Sequence, residues 1–323
     1  FVPPHKREGG QILKLRHYRA LPMLDGPKTA IYRSPLFAVC GQYHGSNRLV
    51  GRTHACAVLA AAAFLTCSTA SAVVIRHDVP PARYLVPANA FPALADMPGV
   101  GHGMLIAPQW VVTAAHAIQP GAKEISLAGK ARKVDRVIIH DGYRAMPQDM
   151  VQRALAANDA TEAMAFLSAN HDIALIRLAQ PVTDVTPIAI YRGQGEVGRL
   201  AQLVGKGATG NGMTGVARGS PQRGELRRAF NRISGAKDRW IVYSFDRGRR
   251  ALALEGMSGS GDSGGPILIK EKGQWVLAGL TSWLAGDPDL RAAPSRYGQQ
   301  TYSVRLSHYA SWIAQVQQDF SGR

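Results

Sequence analysis

Cysteine is nearly absent. Cys40, Cys56 and Cys67 are the three in 323 residues, and all fall within residues 1–72. A disulfide framework is therefore excluded as the organising principle of the rest of the chain, which is long enough to rely on a hydrophobic core alone. Acid is also scarce, with 22 Asp and Glu against 38 Lys and Arg. No apolar run reaches the roughly 18–20 residues that a membrane-spanning helix needs. The chain lacks a phosphate-binding glycine loop, an internal repeat and any cluster of His, Cys, Asp and Glu at metal-ligand spacing. No metal and no other cofactor is expected.

Glycine and proline are plentiful, at 34 and 19 residues, and 46% of the chain is hydrophobic. Many turns and a sizeable core point to an all-β protein. Residues 48–72 read as a secretory signal: Arg48, Arg52 and His54 precede an apolar run from Ala55 to Cys67, and Ala70-Ser71-Ala72 has the small-x-small form of a cleavage site. Residues 1–47 show no periodicity and read as a disordered leader or an over-extended reading frame. Residues 73–323 are left as the domain. Nine of the basic and two of the acidic residues lie in 1–72, so the domain carries 29 basic and 20 acidic side chains. That excess favours solubility and anionic surfaces. The basic stretches RGELRR and DRGRR have few aromatics among them and read as solvated loops, so no nucleic-acid partner is expected. The domain is expected to be a secreted or periplasmic monomer, with no stable membrane insertion after signal removal.

From Gly99 onward, short β-branched and aromatic runs alternate with turns: MLIAPQWVVTAAH, VDRVIIHDGY, DIALIRLAQPV, RLAQLVGKG, RWIVYSF, GPILIK, QWVLAGLTSW and QTYSVRL. This spacing predicts antiparallel strands in a barrel or sandwich. Two segments differ. Residues 146–169 are rich in helix formers, with Met150, Leu155, Met164 and Leu167 as candidates for an apolar face. The segment ends just before Asp172. The C-terminal LSHYASWIAQVQQDF is helical by pattern, with Ser307 as its expected N-cap.

GSGDSGGP, residues 259–266, fits two readings. It is a tight turn, or it exposes Ser263 as a nucleophile beside bare backbone amides. TAAH ends at His116 and HDIAL holds Asp172. A single histidine after a strand is most often structural, and an HD dipeptide is common. The three motifs in this order, followed by TSW, are not explained by chance.

On these residues the chain resembles the chymotrypsin/trypsin-like serine peptidases, in particular secreted bacterial-type members without disulfides. The resemblance covers most of residues 90–318 and rests on LIAPQWVVTAAH, DIALIRL, GDSGGP, TSW and YSVRLSHYASWI. It implies two six-stranded antiparallel barrels, a closing C-terminal helix and an active site in the cleft between the barrels. It implies peptide-bond hydrolysis through an acyl-enzyme, with protein or peptide substrates. His116 is then the general base, Asp172 its orienting acid and Ser263 the nucleophile. The amides of Gly261 and Ser263 form the oxyanion hole. Ser282 supports Asp172, and Asp262 awaits a newly freed N-terminal ammonium, from Val73 or, after trimming, Ile75. A helix in residues 146–169 would stand on the rim near this triad and screen bulky protein substrates. Met257 takes the pocket floor and Trp283 lies along the substrate, while the bulk of Leu284 and Gln300 at the pocket walls shortens the pocket. This implies a small or medium apolar P1 residue, although Glu255 lies close by in sequence. The family's aliphatic pair followed by two glycines is missing, and Gly101 and Ala117 replace the half-cystines that flank the catalytic histidine. A catalytically inactive binding protein of the same fold and an esterase using the same triad are the alternatives.

Overall fold

The computed structural model describes residues 73–97, 101–217, 219–220, 224–287 and 289–320. The leader and signal readings, and all three cysteines, lie outside the described residues.

The described chain opens with β1 (Val74–Ile75). Five strands follow: β2 (Leu94–Met97), β3 (Gly101–Ala107), β4 (Trp110–Thr113), β5 (Glu124–Leu127) and β6 (Lys130–Ile139). Two helices, α1 (Gln148–Ala157) and α2 (Thr161–Ala169), lead into β7 (Ala174–Leu178). Strands β2-β3-β4-β7-β6-β5 close into an antiparallel barrel. Then come β8 (Leu200–Gly205), β9 (Gly210–Asn211), β10 (Gly215–Val216), β11 (Arg227–Lys237), β12 (Trp240–Ser244) and β13 (Gly256–Met257). The chain continues through β14 (Pro266–Glu271), β15 (Gln274–Ala285), β16 (Gln300–Arg305) and α3 (Ala310–Asp319). A second barrel closes in the order β11-β12-β16-β15-β14-β8. This is the all-β architecture of two six-stranded barrels with a C-terminal helix that the motifs imply.

Alternation sets the faces. Along β11, Arg227, Ala229, Asn231 and Ile233 turn inward while Arg228 and Arg232 face solvent, the period-two pattern of a half-buried strand. Leu105, Val111, Leu127 and Leu175 fill the first barrel, and Ile233, Ile241, Tyr243 and Ile267 the second. Burying the aliphatic side chains among these contributes about 1.5–3 kcal/mol each. Helix α3 lays Ile313 and Val316 into the larger core cluster.

Two expectations need correction. Helix α3 begins at Ala310, and the Ser307 hydroxyl donates to the Glu196 carboxylate at 2.9 Å. Glu196 is buried beside Arg305, and Ser307 serves that ion pair instead of a helix end. Residues 146–169 form two helices, because Asn158 takes the left-handed conformation (φ 50°, ψ 37°) and ends α1. Their deeply buried residues are Val151 and Ala163, with Met164 and Leu167 half-buried against the core.

Candidate active site

Strand β4 ends at Thr113, whose buried hydroxyl donates to the His102 carbonyl at 2.7 Å. A single 3-10 turn, Ala115–Ala117, follows and presents His116 at the end of the first barrel. Asp172 enters from the other side, just before β7. The neck of the inserted helices is closed by Asn170, which accepts from the Arg144 amide at 2.8 Å and donates to the Arg144 carbonyl at 2.7 Å. Asp172 is therefore held at a cinched base, however long the insertion beyond it.

Ser263 comes from the second barrel. Its carbonyl accepts from the His102 amide at 2.7 Å, which seats the turn on β3. The close approach demands glycine on both sides. A Cβ on Gly101 would press into the Ser263 carbonyl oxygen. Gly264 has φ +70°, and a Cβ there would meet the His102 carbonyl and the Thr113 hydroxyl. The amides of Asp262 and Gly264 are committed to the Gly259 and Thr281 carbonyls, at 3.0 and 2.8 Å. Those of Gly261 and Ser263 donate to no acceptor among the described residues.

The three side chains form one hydrogen-bonded chain. His116 Nε2 lies 2.8 Å from Ser263 Oγ, and Nδ1 lies 2.7 Å from Asp172 Oδ2. The other Asp172 oxygen accepts from the His116 amide at 2.8 Å. Ser282 donates its hydroxyl to Asp172 Oδ2 at 2.5 Å. Burial pushes the Asp172 carboxyl up, but the adjacent imidazole and these hydrogen bonds hold its pKa below the usual carboxylate value. Burial likewise opposes a charged imidazole at His116. The field and hydrogen bond of Asp172 outweigh it and raise the His116 pKa above the ordinary histidine value. A neutral imidazole facing the hydroxyl, backed by a buried carboxylate, is able to take the hydroxyl proton and keep the resulting cation paired.

The remaining sequence candidates fall around this centre. Met257 is fully buried, packed with Val74 and Phe245 and edged by half-buried Leu284 and Tyr297. Trp283 stacks on Tyr302 at 3.9 Å. Gln300 is half-buried beside Ser244. The Glu255 carboxylate accepts from the amides of Asp246 and Leu252 at 2.6 and 2.5 Å. Asp262 accepts from the amides of Gly207 and Gly259, both at 2.8 Å. Among the described residues, no three His, Cys, Asp or Glu side chains converge as a metal site.

Sequence reasoning missed a histidine pair beside the centre. His140 and His171 stack with ring centroids 4.4 Å apart and planes 3° from parallel. Tyr309 closes over them, with its hydroxyl 3.1 Å from His171 Nδ1. The only signal was two of the chain's three HD dipeptides, those at 140–141 and 171–172. Their meeting follows from the β6–β7 register, in which Ile139 faces Ala174.

Comparison with known proteins bears on the family and the fold. The family model described as Trypsin matches residues 85–313. Guinea-pig (Cavia porcellus) coagulation factor IX is 28% identical over 239 residues, which span 65% of this chain and 70% of that protein. The solved structure of neuropsin, a serine protease expressed in the limbic system of mouse brain, superposes with a TM-score of 0.53 at 19% identity, covering 72% of this chain and 98% of neuropsin. The last likeness concerns the fold.

Proposed function

We propose that this chain, which belongs to the trypsin family, is an exported serine endopeptidase that cuts peptide bonds through Ser263. The supporting observation is the unbroken chain Asp172–His116–Ser263 beside two uncommitted amides, those of Gly261 and Ser263. His116 takes the Ser263 proton as the hydroxyl oxygen attacks the scissile carbonyl. Asp172, held by Ser282, keeps the imidazole in register and pairs with its cationic form. The Gly261 and Ser263 amides meet the oxyanion, and loss of one such donor costs about 10²–10³ in rate. His116 then returns the proton to the leaving amine, and water repeats the sequence on the acyl-enzyme. A fluorophosphonate probe tests the assignment: labelling of the wild type that disappears in Ser263→Ala supports it, and absence of labelling refutes it. Paired ester and peptide kinetics separate a peptidase from an esterase.

The substrate residue before the scissile bond is small or medium and apolar. Met257 at the pocket floor offers no carboxylate, and Glu255 is engaged with backbone amides elsewhere. A buried cation without a partner is expensive, so Arg and Lys at P1 are disfavoured. A P1-varied set of peptide amides, compared by kcat/KM, checks this, and a best substrate with Arg or Lys overturns it. Export cleavage after Ala72 frees Val73. Full burial of Val73 and the pairing of Val74 with Met257 favour Val73 over Ile75 as the mature start, since trimming to Ile75 would remove half of that contact. N-terminal sequencing of exported protein decides it.

A further inference from the structure

The inserted helices are anchored on the second barrel at two places. At the root of the insertion, Trp240 Nε1 donates to the Ser168 carbonyl at 2.9 Å, and the Arg239 guanidinium donates to the Ala169 carbonyl. At the tip, the Leu290 amide donates to Asn158 Oδ1 at 3.0 Å, and the Arg291 guanidinium to the Leu155 carbonyl at 3.1 Å. The segment starts in the first barrel and is tied to the second at residues 239–240 and again at 290–291. It is a strap.

The two anchors lie on either side of the end of β15: Trp240 packs edge-on against Trp283, and Leu290 and Arg291 follow Ala285 in the loop to β16. Strand β14 pairs with β15 as far as Leu280, and β16 holds the other edge through Trp283, Leu284 and Ala285. Among the described residues, no strand pairs with the free edge of Trp283–Ala285. This short open edge starts at Ser282, which touches Asp172, and runs out to the loop that the strap tip grips. Trp283 is only 6% exposed, and its indole N–H has no acceptor among the described residues. Trp240 meets it edge-on at 5.6 Å, and Met164 and Leu167 of α2 pack against the same apolar cluster.

An open sheet edge is where an extended peptide adds as a further strand. The P1 pocket borders Leu284, so the residues that precede the scissile bond are those that run along this edge. At about 3.3 Å per residue, the edge takes about three of them before the chain meets the strap. We infer that the strap closes the acyl-side arm of the cleft and makes this a peptidase for substrates with no more than about three residues before the scissile bond: short peptides, or chain ends clipped near an N-terminus. This inference rests on the peptidase reading above and sharpens the expectation that the insertion screens bulky substrates.

The test is a series of N-acetylated peptide amides with one P1 residue and a constant leaving side, carrying two, three, four or six residues on the acyl side. The wild type is expected to cleave the three-residue member at least 10-fold better by kcat/KM than the six-residue member. The double variant Asn158→Ala, Arg291→Ala removes the tip anchor and leaves the reacting groups untouched. It is expected to recover the six-residue substrate to within about 3-fold of the three-residue one. Equal cleavage at all lengths by the wild type overturns the strap, as does a length limit that survives the double variant. If no peptide is cut and Ser263 resists a fluorophosphonate, the peptidase reading fails, and the strap inference falls with it.

Discussion

Ser263 and Asp172 reach one hydrogen-bonded chain by opposite routes. Ser263 sits in a turn pressed against β3, where Gly101 and Gly264 are glycine because the neighbouring carbonyls leave no room for a Cβ. Asp172 follows two helices held to the second barrel largely through the carbonyls of Leu155, Ser168 and Ala169, groups that every residue type supplies. The turn constrains its sequence residue by residue, and the strap constrains mainly its length and helicity. On the proposed function, chemistry falls to the region with the least freedom, and access to the region with the most.

The sharpest way to break that contrast is at the nucleophile. Ser263→Ala and His116→Ala are each expected to lower kcat by about 10⁴-fold or more, with the thermal midpoint nearly unchanged because neither change opens the core. Ser263→Ala that retained a substantial share of wild-type turnover would sink the mechanism.

A second test keeps all three reacting groups and moves only the turn. Gly101→Ala places a methyl against the Ser263 carbonyl, which is backbone and has no rotamer to yield. Overpacking of this kind costs about 1–3 kcal/mol, so the thermal midpoint should fall by several degrees. Activity should fall at least 10-fold with it, because Ser263 shifts from His116. Ser168→Ala is the counterpart in the strap: Ser168 is exposed and holds Trp240 through its backbone carbonyl, which the change keeps, and a change within about 0.5 kcal/mol is expected. Matching losses at the two sites would erase the distinction.

The same asymmetry explains what was legible in the sequence. TAAH, HDIAL and GDSGGP are readable because sterics and chemistry permit few alternatives at His116, Asp172 and Ser263. Alternation and turn spacing marked antiparallel strands in a barrel or sandwich, and the two six-stranded barrels came only with the family resemblance. The strap was legible only as helix-rich composition, since its anchors are backbone carbonyls and one side chain, Asn158, whose partner Leu290 lies more than a hundred positions later. Ser307 has the chemistry of a helix cap, but Glu196, more than a hundred positions earlier, claims its hydroxyl. Glu255 lay close to the pocket floor in sequence, yet two local amides draw its carboxylate into the loop, and burial pushes its pKa up to about 7. Long-range partners of polar groups are what a single chain read in order does not display.

A smaller effect is expected from pH on the reacting chain. Activity requires neutral His116, and its pKa is raised in the folded protein. The acid limb of the kcat/KM profile should therefore be centred above the ordinary histidine value of about 6.5. A limb centred at or below that value would mean that Asp172 does not hold the charged imidazole.

The smallest expected effect lies in the histidine pair on the Asp172 side of the contrast. His171 packs on His140, with Tyr309 edge-on to both rings and Trp312 tilted against His140. Burial, then Arg239, His140 and His308, push the His171 pKa down to about 4, and His140 and His308 shift the same way, with Asp141 and Asp238 partly opposing. The folded state thus refuses a proton that the unfolded chain accepts at about 6.5. The unfolded state binds more protons across this window, so stability rises with pH there. The contribution of His171 is complete above about pH 6.5 and is lost as the pH falls towards 4. His171→Asn, which keeps a polar side chain without the titration, should flatten the decline in thermal midpoint between pH 6.5 and 4.5, and leave kcat at pH 8 within about 2-fold because Asp172 keeps its own hydrogen bonds. The check is a pair of melting curves across that range. An unchanged pH slope in the variant would show that the decline arises elsewhere, and a large loss of kcat at pH 8 would show that the pair positions Asp172 and belongs with the constrained region instead.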